Sequence, residues 1–321
     1  TRIIALGFLI TVIVGTILLS LPIASANGTW TDLLTAAFTS TTSVCVTGLV
    51  VVDTFSYWSL FGKGVILILI QIGGLGIVSI ITLFMLLLRM KITLKSTMLL
   101  QDAFNLNSKQ GLLKFTIKVI KGTFLIEGIG ALIYSFYYCR EYGFLKGIWF
   151  SVFHAVSAFC NAGIDIMGAD SLISYHSNLL MMLNTSFLII MGGIGFIVWW
   201  DTVEAFRRIR TKRCSIRSAW NGVHLQTKIA IFMTLLLLIG GTIVIYFLER
   251  SNPDTLGNLS EKDRILNAFF QSVTFRTAGF AAVSQVALRP VTAFFGVLLM
   301  MIGGSPVGTA GGMLPTEKKH L

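Results

Sequence analysis

The sequence predicts an all-α polytopic membrane protein assembled from repeated units. Three observations carry this. The 321 residues are 55% hydrophobic and 12% charged, with a mean hydropathy of +0.82, a composition that belongs to polytopic membrane proteins. A short polar segment ending in Gly recurs at a near-constant interval. The basic residues gather mainly in two loops between apolar spans.

The recurring segment reads Phe38-Thr-Ser-Thr-Thr-Ser-Val-Cys-Val-Thr-Gly48, then Phe153-His-Ala-Val-Ser-Ala-Phe-Cys-Asn-Ala-Gly163, then Phe269-Phe-Gln-Ser-Val-Thr-Phe-Arg-Thr-Ala-Gly279. A Phe stands ten residues before each Gly, and Leu49, Ile164 or Phe280 follows it. The glycines lie 115 and 116 positions apart (48 to 163, 163 to 279). A period that regular signals architecture. Gly tolerates backbone angles that other residues resist. Non-helical backbone at membrane depth persists only where protein buries it or water lines it. Carbonyls freed in this way can replace the hydration shell of a cation. The alternative for any single Gly is a turn or close helix packing.

In chain order, residues 3–24 form an apolar run behind Arg2, longer than a signal-peptide core, and are expected to span the membrane. Asn27-Gly28 marks a turn. Residues 31–42 suit a short helix starting near Thr31 or Asp32, too polar to span alone. Residues 64–88 form the next span, and residues 115–138 the third. Residues 150–160 form the second short helix. Residues 179–200 read as a fourth span containing Met191-Gly-Gly-Ile-Gly195. Residues 229–248 form a fifth, and residues 266–275 the third short helix. Residues 291–302 begin a sixth, which breaks at Gly303-Gly304-Ser305-Pro306-Val307-Gly308-Thr309-Ala310-Gly311-Gly312. Glycine at that density does not sustain a helix. Glycine pairs recur in the returning spans as Gly73-Gly74, Gly192-Gly193 and Gly303-Gly304, where small residues let backbones approach. The units run over residues 1–90, 91–221 and 222–321.

The formal charge is +11. Topology explains it better than nucleic acid, and no nucleic-acid partner is expected. The basic loops, with Arg89, Lys91, Lys95 and Lys109 in one and Arg207, Arg208, Arg210, Lys212, Arg213 and Arg217 in the other, fall on the side of Arg2 and are expected to be cytoplasmic. The short helices then enter from outside. There Asp32, Asp53, Asp165, Asp170, Glu249, Asp254, Glu261 and Asp263 either concentrate cations or are ordinary loop charge. Cys45, Cys139, Cys160 and Cys214 are scattered and expected to be free thiols. His154, His176 and His224 never stand at metal-ligand spacing, and no Ser/His/Asp constellation stands out, which argues against an enzyme. His154 reads as a packed, hydrogen-bonded residue. Arg276, beside the third segment, is either an ion-paired strut or an electrostatic brake on conduction.

Span, pore helix, Gly-ended loop and span is the potassium-channel repeat. Three such units, carrying Val46-Thr47-Gly48, Asn161-Ala162-Gly163 and Thr277-Ala278-Gly279, resemble the Trk/Ktr/HKT superfamily of potassium transporters, with a bacterial Ktr-type membrane subunit the nearest in pattern. The resemblance covers the chain to about Gly312. It implies helix, pore helix, filter loop and helix units, three of an expected four, around a central pore in the cell membrane, with Gly48, Gly163 and Gly279 at three corners of a square. Those nine residues would form the potassium-binding filter. Ser in place of the first filter Gly goes with sodium transport in plant relatives, so Gly48 points to potassium. Gly303, Gly304, Ser305, Pro306, Gly308, Gly311 and Gly312 match an intramembrane gate loop. The resemblance also implies a homodimer on a cytoplasmic ring of nucleotide-binding regulatory subunits. It implies no bound cofactor beyond potassium as substrate, and leaves sodium dependence open.

The sequence departs from the family pattern after Gly312, where it reads Met313-Leu-Pro-Thr-Glu-Lys-Lys-His-Leu321 in place of a basic residue, a Thr run and a fourth unit. A chain truncated there is expected to be a non-conducting fragment with at most a folding or association role, and alone not to restore potassium uptake. Its first residue is Thr1, so an initiator Met and any short leader are expected to be absent from it.

Overall fold

Capping side chains and glycine breaks set where the helices of this chain begin and end. The structure, a computed structural model, describes residues 2–76, 112–168, 171–212, 215–305 and 308–312. In the first unit α1 (Arg2–Ser20) leads to the short α2 (Leu33–Cys45), a one-turn α3 (Thr54–Tyr57) and α4 (Leu60–Leu75). The second has α5 (Leu112–Tyr142), the short α6 (Phe144–Phe159) and α7 (Leu179–Gly193), continued by α8 (Phe196–Lys212) and α9 (Ile216–Asn221). The third has α10 (Leu225–Glu249), the short α11 (Glu261–Thr274) and α12 (Pro290–Ile302).

The caps use short polar side chains that accept the first orphan amides of a helix. The Asp32 carboxylate accepts from the Leu34 and Thr35 amides at 3.1 and 3.3 Å and starts α2. Ser59 starts α4 through the Gly62 amide, Asn178 starts α7 through Met181, and Ser260 starts α11 through Asp263. Asp53 caps α3 in the same way. Several acids expected outside are therefore engaged in local structure. Buried Glu249 accepts from the Asn252 amide group, the Thr255 hydroxyl and the Arg289 amide. Glu261 pairs with Arg264 at 3.0 Å. Asp170 lies outside the described residues.

Each short helix packs on the first helix of its own unit, α2 on α1, α6 on α5 and α11 on α10. It also meets a returning helix: α2 its own α4, α6 both α4 and α7, and α11 the neighbouring unit's α7. The short helices α6 and α11 are the most buried elements, with Phe153, Phe159, Phe270 and Val273 fully enclosed. The first helices turn apolar side chains outward, including Leu9, Ile13 and Ile17 of α1, Leu125, Leu132 and Phe136 of α5, and Phe232, Leu236 and Ile243 of α10. Such an outward apolar belt suits hydrocarbon, not water. Among the described residues Phe115–Tyr142 and Leu225–Glu249 are long and apolar enough to cross a membrane. Ala5–Ser20, Leu60–Leu75 and Pro290–Ile302 are shorter apolar helices. The second half of the span expected over residues 64–88, and the basic loop after it, lie outside the described residues.

Three expectations need correcting. The fourth span does not run straight through residues 179–200. It ends at Gly193, and after Gly195 (φ 94°) the chain turns by 98° into α8. A left-handed angle of that size is readily held only by Gly, so the apolar run continues while its axis does not. The second basic loop is also largely helical: Arg207, Arg208 and Arg210 ride on α8 and Arg217 on α9. The short helices begin later or earlier than their apolar patterns do. α6 starts at Phe144, because Gly143 supplies its N-cap at φ 81°, and α11 starts at Glu261 behind Ser260.

The returning helices reach the short helices through glycine. A methyl group on Gly73 would stand 2.2 Å from the Val44 carbonyl oxygen, while one on Gly64 of the same helix would meet nothing within 4 Å. Behind this contact the Glu127 carboxylate of α5 is buried and accepts from the Gln71 amide group at 3.1 and 3.2 Å. This ties the first unit to the second. Gly73→Ala is expected to destabilise the protein by about 1–3 kcal/mol, as overpacking does in tight interiors, and Gly64→Ala to leave it unchanged. Thermal unfolding of the two variants in detergent measures the difference.

Candidate functional site: three glycine-ended loops against a glycine-rich loop

Each short helix ends in a residue with left-handed backbone. Val46 (φ 54°), Asn161 (φ 57°) and Thr277 (φ 66°) occupy matched positions two residues before Gly48 (φ 76°), Gly163 (φ 62°) and Gly279 (φ 84°). Thr47, Ala162 and Ala278 between them keep negative φ. Positive φ is costly for β-branched residues, on the order of 1–3 kcal/mol each where tertiary structure enforces it. Val46 and Thr277 are thus held in place by their surroundings. A chain that alternates the sign of φ turns successive carbonyls toward one side, where an extended strand would alternate them.

The three loops come together. A methyl group on Gly48 would stand 2.7 Å from the Ala162 carbonyl oxygen and 3.6 Å from the Gly163 Cα. On Gly163 it would stand 2.6 Å from both the Ala278 carbonyl oxygen and the Gly279 Cα. The order around the site is therefore first, second, third unit, backbone against backbone. None of the three glycines lies on an outward helix. Of the three phenylalanines ten residues upstream, Phe153 is fully buried and Phe38 is 39% exposed.

A hydroxyl near the end of each short helix braces the residue after its Gly. The Leu49 amide donates to Thr42 Oγ1 at 3.0 Å, Ser157 Oγ donates to the Ile164 carbonyl, and Thr274 Oγ1 donates to the Phe280 carbonyl at 2.7 Å. Thr42 and Ser157 stand six residues before their glycines and Thr274 five. Sequence reasoning noted the polar run but missed this recurring hydroxyl, for which a Ser or Thr at that offset was the available signal. The Asn161 amide, oriented to satisfy both its atoms, donates to the Ile189 and Ala158 carbonyls. His154 is buried, with Nδ1 at 3.0 Å from the Phe150 carbonyl oxygen.

After α12 the Gly-rich stretch is not helical, and its polar backbone finds partners within itself and in the second and third units. The Gly304 amide donates to the Gly311 carbonyl within the loop. The Ser305 and Thr309 amides donate to the Gly193 and Gly192 carbonyls at 2.8 and 3.1 Å. Those carbonyls are free because α7 stops there. Thr309 Oγ1 donates to the Phe159 carbonyl at the end of α6, and the Gly311 amide donates to Thr277 Oγ1, both at 2.9 Å. The loop thus touches a residue of the third glycine-ended segment directly. Asn161, Gly193, Arg276, Gly304 and Ala310 line a small cavity between segments and loop. Pro306 lies outside the described residues.

Arg276 is buried. Its Nε donates to the Gly303 carbonyl at 3.2 Å and Nη2 to Thr234 Oγ1 at 3.3 Å. Among the described residues no carboxylate pairs with it, so hydrogen bonds hold it in place of the expected ion pair. Cys45, Cys139 and Cys160 are free thiols, and Cys214 lies outside the described residues.

The sequence and the fold both have relatives. The family described as "TrkH: Cation transport protein" matches residues 6–317. The potassium/sodium uptake protein NtpJ of Enterococcus hirae is 40% identical over 315 residues, 98% of this chain and 67% of that protein. The Ktr system potassium uptake protein B of Bacillus subtilis is 39% identical over 97% of this chain and 67% of its own length. The crystal structure of the potassium transporter TrkH from Vibrio parahaemolyticus superposes with a TM-score of 0.65 at 16% identity, over 95% of this chain and 58% of that one. The chain spans about two thirds of the curated relatives it matches. A family match over nearly the whole chain, a relative at 40% identity and a shared fold agree: the chain belongs to the TrkH family of cation transport proteins.

Proposed function

We propose that this chain supplies the pore of a potassium uptake system in the cell membrane, with Val46, Thr47, Gly48, Asn161, Ala162, Gly163, Thr277, Ala278 and Gly279 as three of its filter segments. The observation that carries the reading is the matched alternation of backbone angles at Val46/Gly48, Asn161/Gly163 and Thr277/Gly279 where the three loops meet. Carbonyls directed to one side of such loops would replace the hydration shell of a cation. The hydroxyls of Thr42, Ser157 and Thr274 would hold the loops at fixed spacing, so that the ring does not collapse onto a smaller ion. The repeats over residues 1–90, 91–221 and 222–321 would each contribute one side, and the fourth side follows the family pattern. The names of relatives as potassium uptake proteins support the substrate. That of the potassium/sodium uptake protein supports sodium as a second or coupled ion.

The stretch Gly303, Gly304, Ser305, Pro306, Gly308, Gly311 and Gly312 would be the gate. It lies against the third filter segment through Thr277 and is held by carbonyls that a helix would otherwise use. Each tie is worth only about 0.5–1.5 kcal/mol net, so the loop can be released without unfolding the protein. The Ktr names of relatives support assembly with other subunits of such a system: a homodimer on a cytoplasmic nucleotide-binding ring.

Two outcomes test this in the complete transporter. Gly48→Ser places a side chain against the Ala162 carbonyl and strains a positive φ. It is expected to shift the potassium-to-sodium preference by about tenfold, equivalent to roughly 1.4 kcal/mol, as read by rubidium and sodium uptake in potassium-limited cells. Unchanged preference counts against Gly48 as a filter residue. Deleting residues 303–312 is expected to raise flux several-fold while leaving that preference intact. Thr309→Val, which removes the tie to Phe159, should do the same to a smaller degree. Flux that stays constant in both variants would remove the loop from the gating role.

A further inference from the structure

α8 is the element that the pore does not use. It leaves α7 at 98°, so it runs across the direction of the apolar helix that precedes it. Its inner face is fixed. Asp201 Oδ2 accepts from Thr227 Oγ1 at 2.6 Å and lies 2.8 Å from His224 Nδ1, at the start of α10. Arg208 reaches Glu204 and the Gly222 carbonyl. Its outer face is unlike that of a water-facing helix. Val203 and Phe206 are 53% and 66% exposed. Arg207 and Arg210 flank them at helical spacing, both exposed, and among the described residues neither pairs with a carboxylate. Trp200 sits at the root, with the Lys118 ammonium 5.3 Å from its ring centroid. Exposed apolar side chains between unpaired cations, with tryptophan at one end, match the amphipathic helices that lie in a membrane surface.

We propose that the outer face of α8 docks on anionic phospholipid, with Val203 and Phe206 in the acyl boundary and Arg207 and Arg210 on the headgroup phosphates. Charge complementarity selects an anionic lipid over a zwitterionic one, since basic side chains near such a surface each add to its attraction. The root of the same helix carries a second consequence. Gly192 and Gly193, whose carbonyls hold the Thr309 and Ser305 amides, stand three and two residues before the Gly195 turn. A lipid that shifts α8 therefore moves the acceptors of the Gly-rich loop. This consequence rests on the gate proposed above; the docking does not.

Native mass spectrometry of the full chain, with phosphatidylglycerol titrated against phosphatidylcholine, tests the docking without any ion flux. The wild type is expected to retain phosphatidylglycerol preferentially. R207Q/R210Q should lower that preference by up to about thirtyfold, the product of two basic contacts. Val203→Ser/Phe206→Ser should reduce retention of both lipids, and Lys262→Gln, on α11, should change neither. An unchanged preference in R207Q/R210Q overturns the proposal. So does a variant that keeps its lipid adducts but converts a dimer to a monomer, because that places a second copy of the chain on this face. If the docking holds, rubidium flux through the complete transporter should differ between phosphatidylglycerol and phosphatidylcholine vesicles for the wild type, and not for R207Q/R210Q. A flux that ignores lipid while the binding preference persists separates the docking from the gate, overturning only the consequence.

Discussion

A backbone amide or carbonyl inside a membrane has no water to bond, so wherever this chain leaves a helix another part of it must supply the partner. That demand organises the interior. The three glycine-ended loops are held by hydroxyls from their own short helices. The Gly-rich loop after α12 is held by carbonyls that α7 leaves unused, by the Phe159 carbonyl and by the Thr277 hydroxyl. Each irregular segment satisfies another, and this is why the broken parts of the three units lie together and the unbroken helices lie outside.

The same dependence accounts for the strain. Val46 and Thr277 hold angles that β-branched residues avoid. Such angles persist only when surrounding structure over-determines them. Short buried helices capped by Asp32 and Ser260, with a hydroxyl clamp beyond, provide that constraint. The glycines serve two distinct ends. Gly48, Gly163 and Gly279 let the three loops meet backbone to backbone, while Gly73 and Gly192 let returning helices approach the carbonyls of Val44 and Phe159. A Cβ at either set meets backbone, which cannot swing aside as a side chain can.

The break at Gly195 joins the two themes. By ending α7 early it frees the Gly192 and Gly193 carbonyls for the Gly-rich loop, and by turning the chain it sets α8 across the preceding helix. One backbone irregularity thus links the interior to the basic helix α8, which carries Arg207, Arg208 and Arg210. Arg276 closes the arrangement from the third unit. A buried guanidinium is costly unless paired or hydrogen-bonded, and among the described residues this one is satisfied by hydrogen bonds, one of them to a carbonyl left free because the helix stops at Gly303.

The amino-acid sequence by itself determined the all-helical membrane class, the three short helices before the matched glycines and the break after Ile302. These follow from composition, from a period of 115 to 116 residues and from glycine density, and none needs a long-range contact. It also placed the three glycines in matched positions, though not their contact with one another. Only the tertiary structure decided the turn at Gly195, because an apolar run that continues from residue 179 to 200 looks the same whether its axis is straight or bent. It alone decided that Arg276 is held by hydrogen bonds, that Thr42, Ser157 and Thr274 are clamps, and that Gly192 and Gly193 are acceptors for the Gly-rich loop. The roles of Arg276, Gly192 and Gly193 depend on partners 27 to 117 positions away along the chain (276 to 303, 192 to 309), and those of the three hydroxyls on how each loop folds back on its own helix. Local pattern records what a residue can donate or accept, and folding alone determines which group stands opposite it.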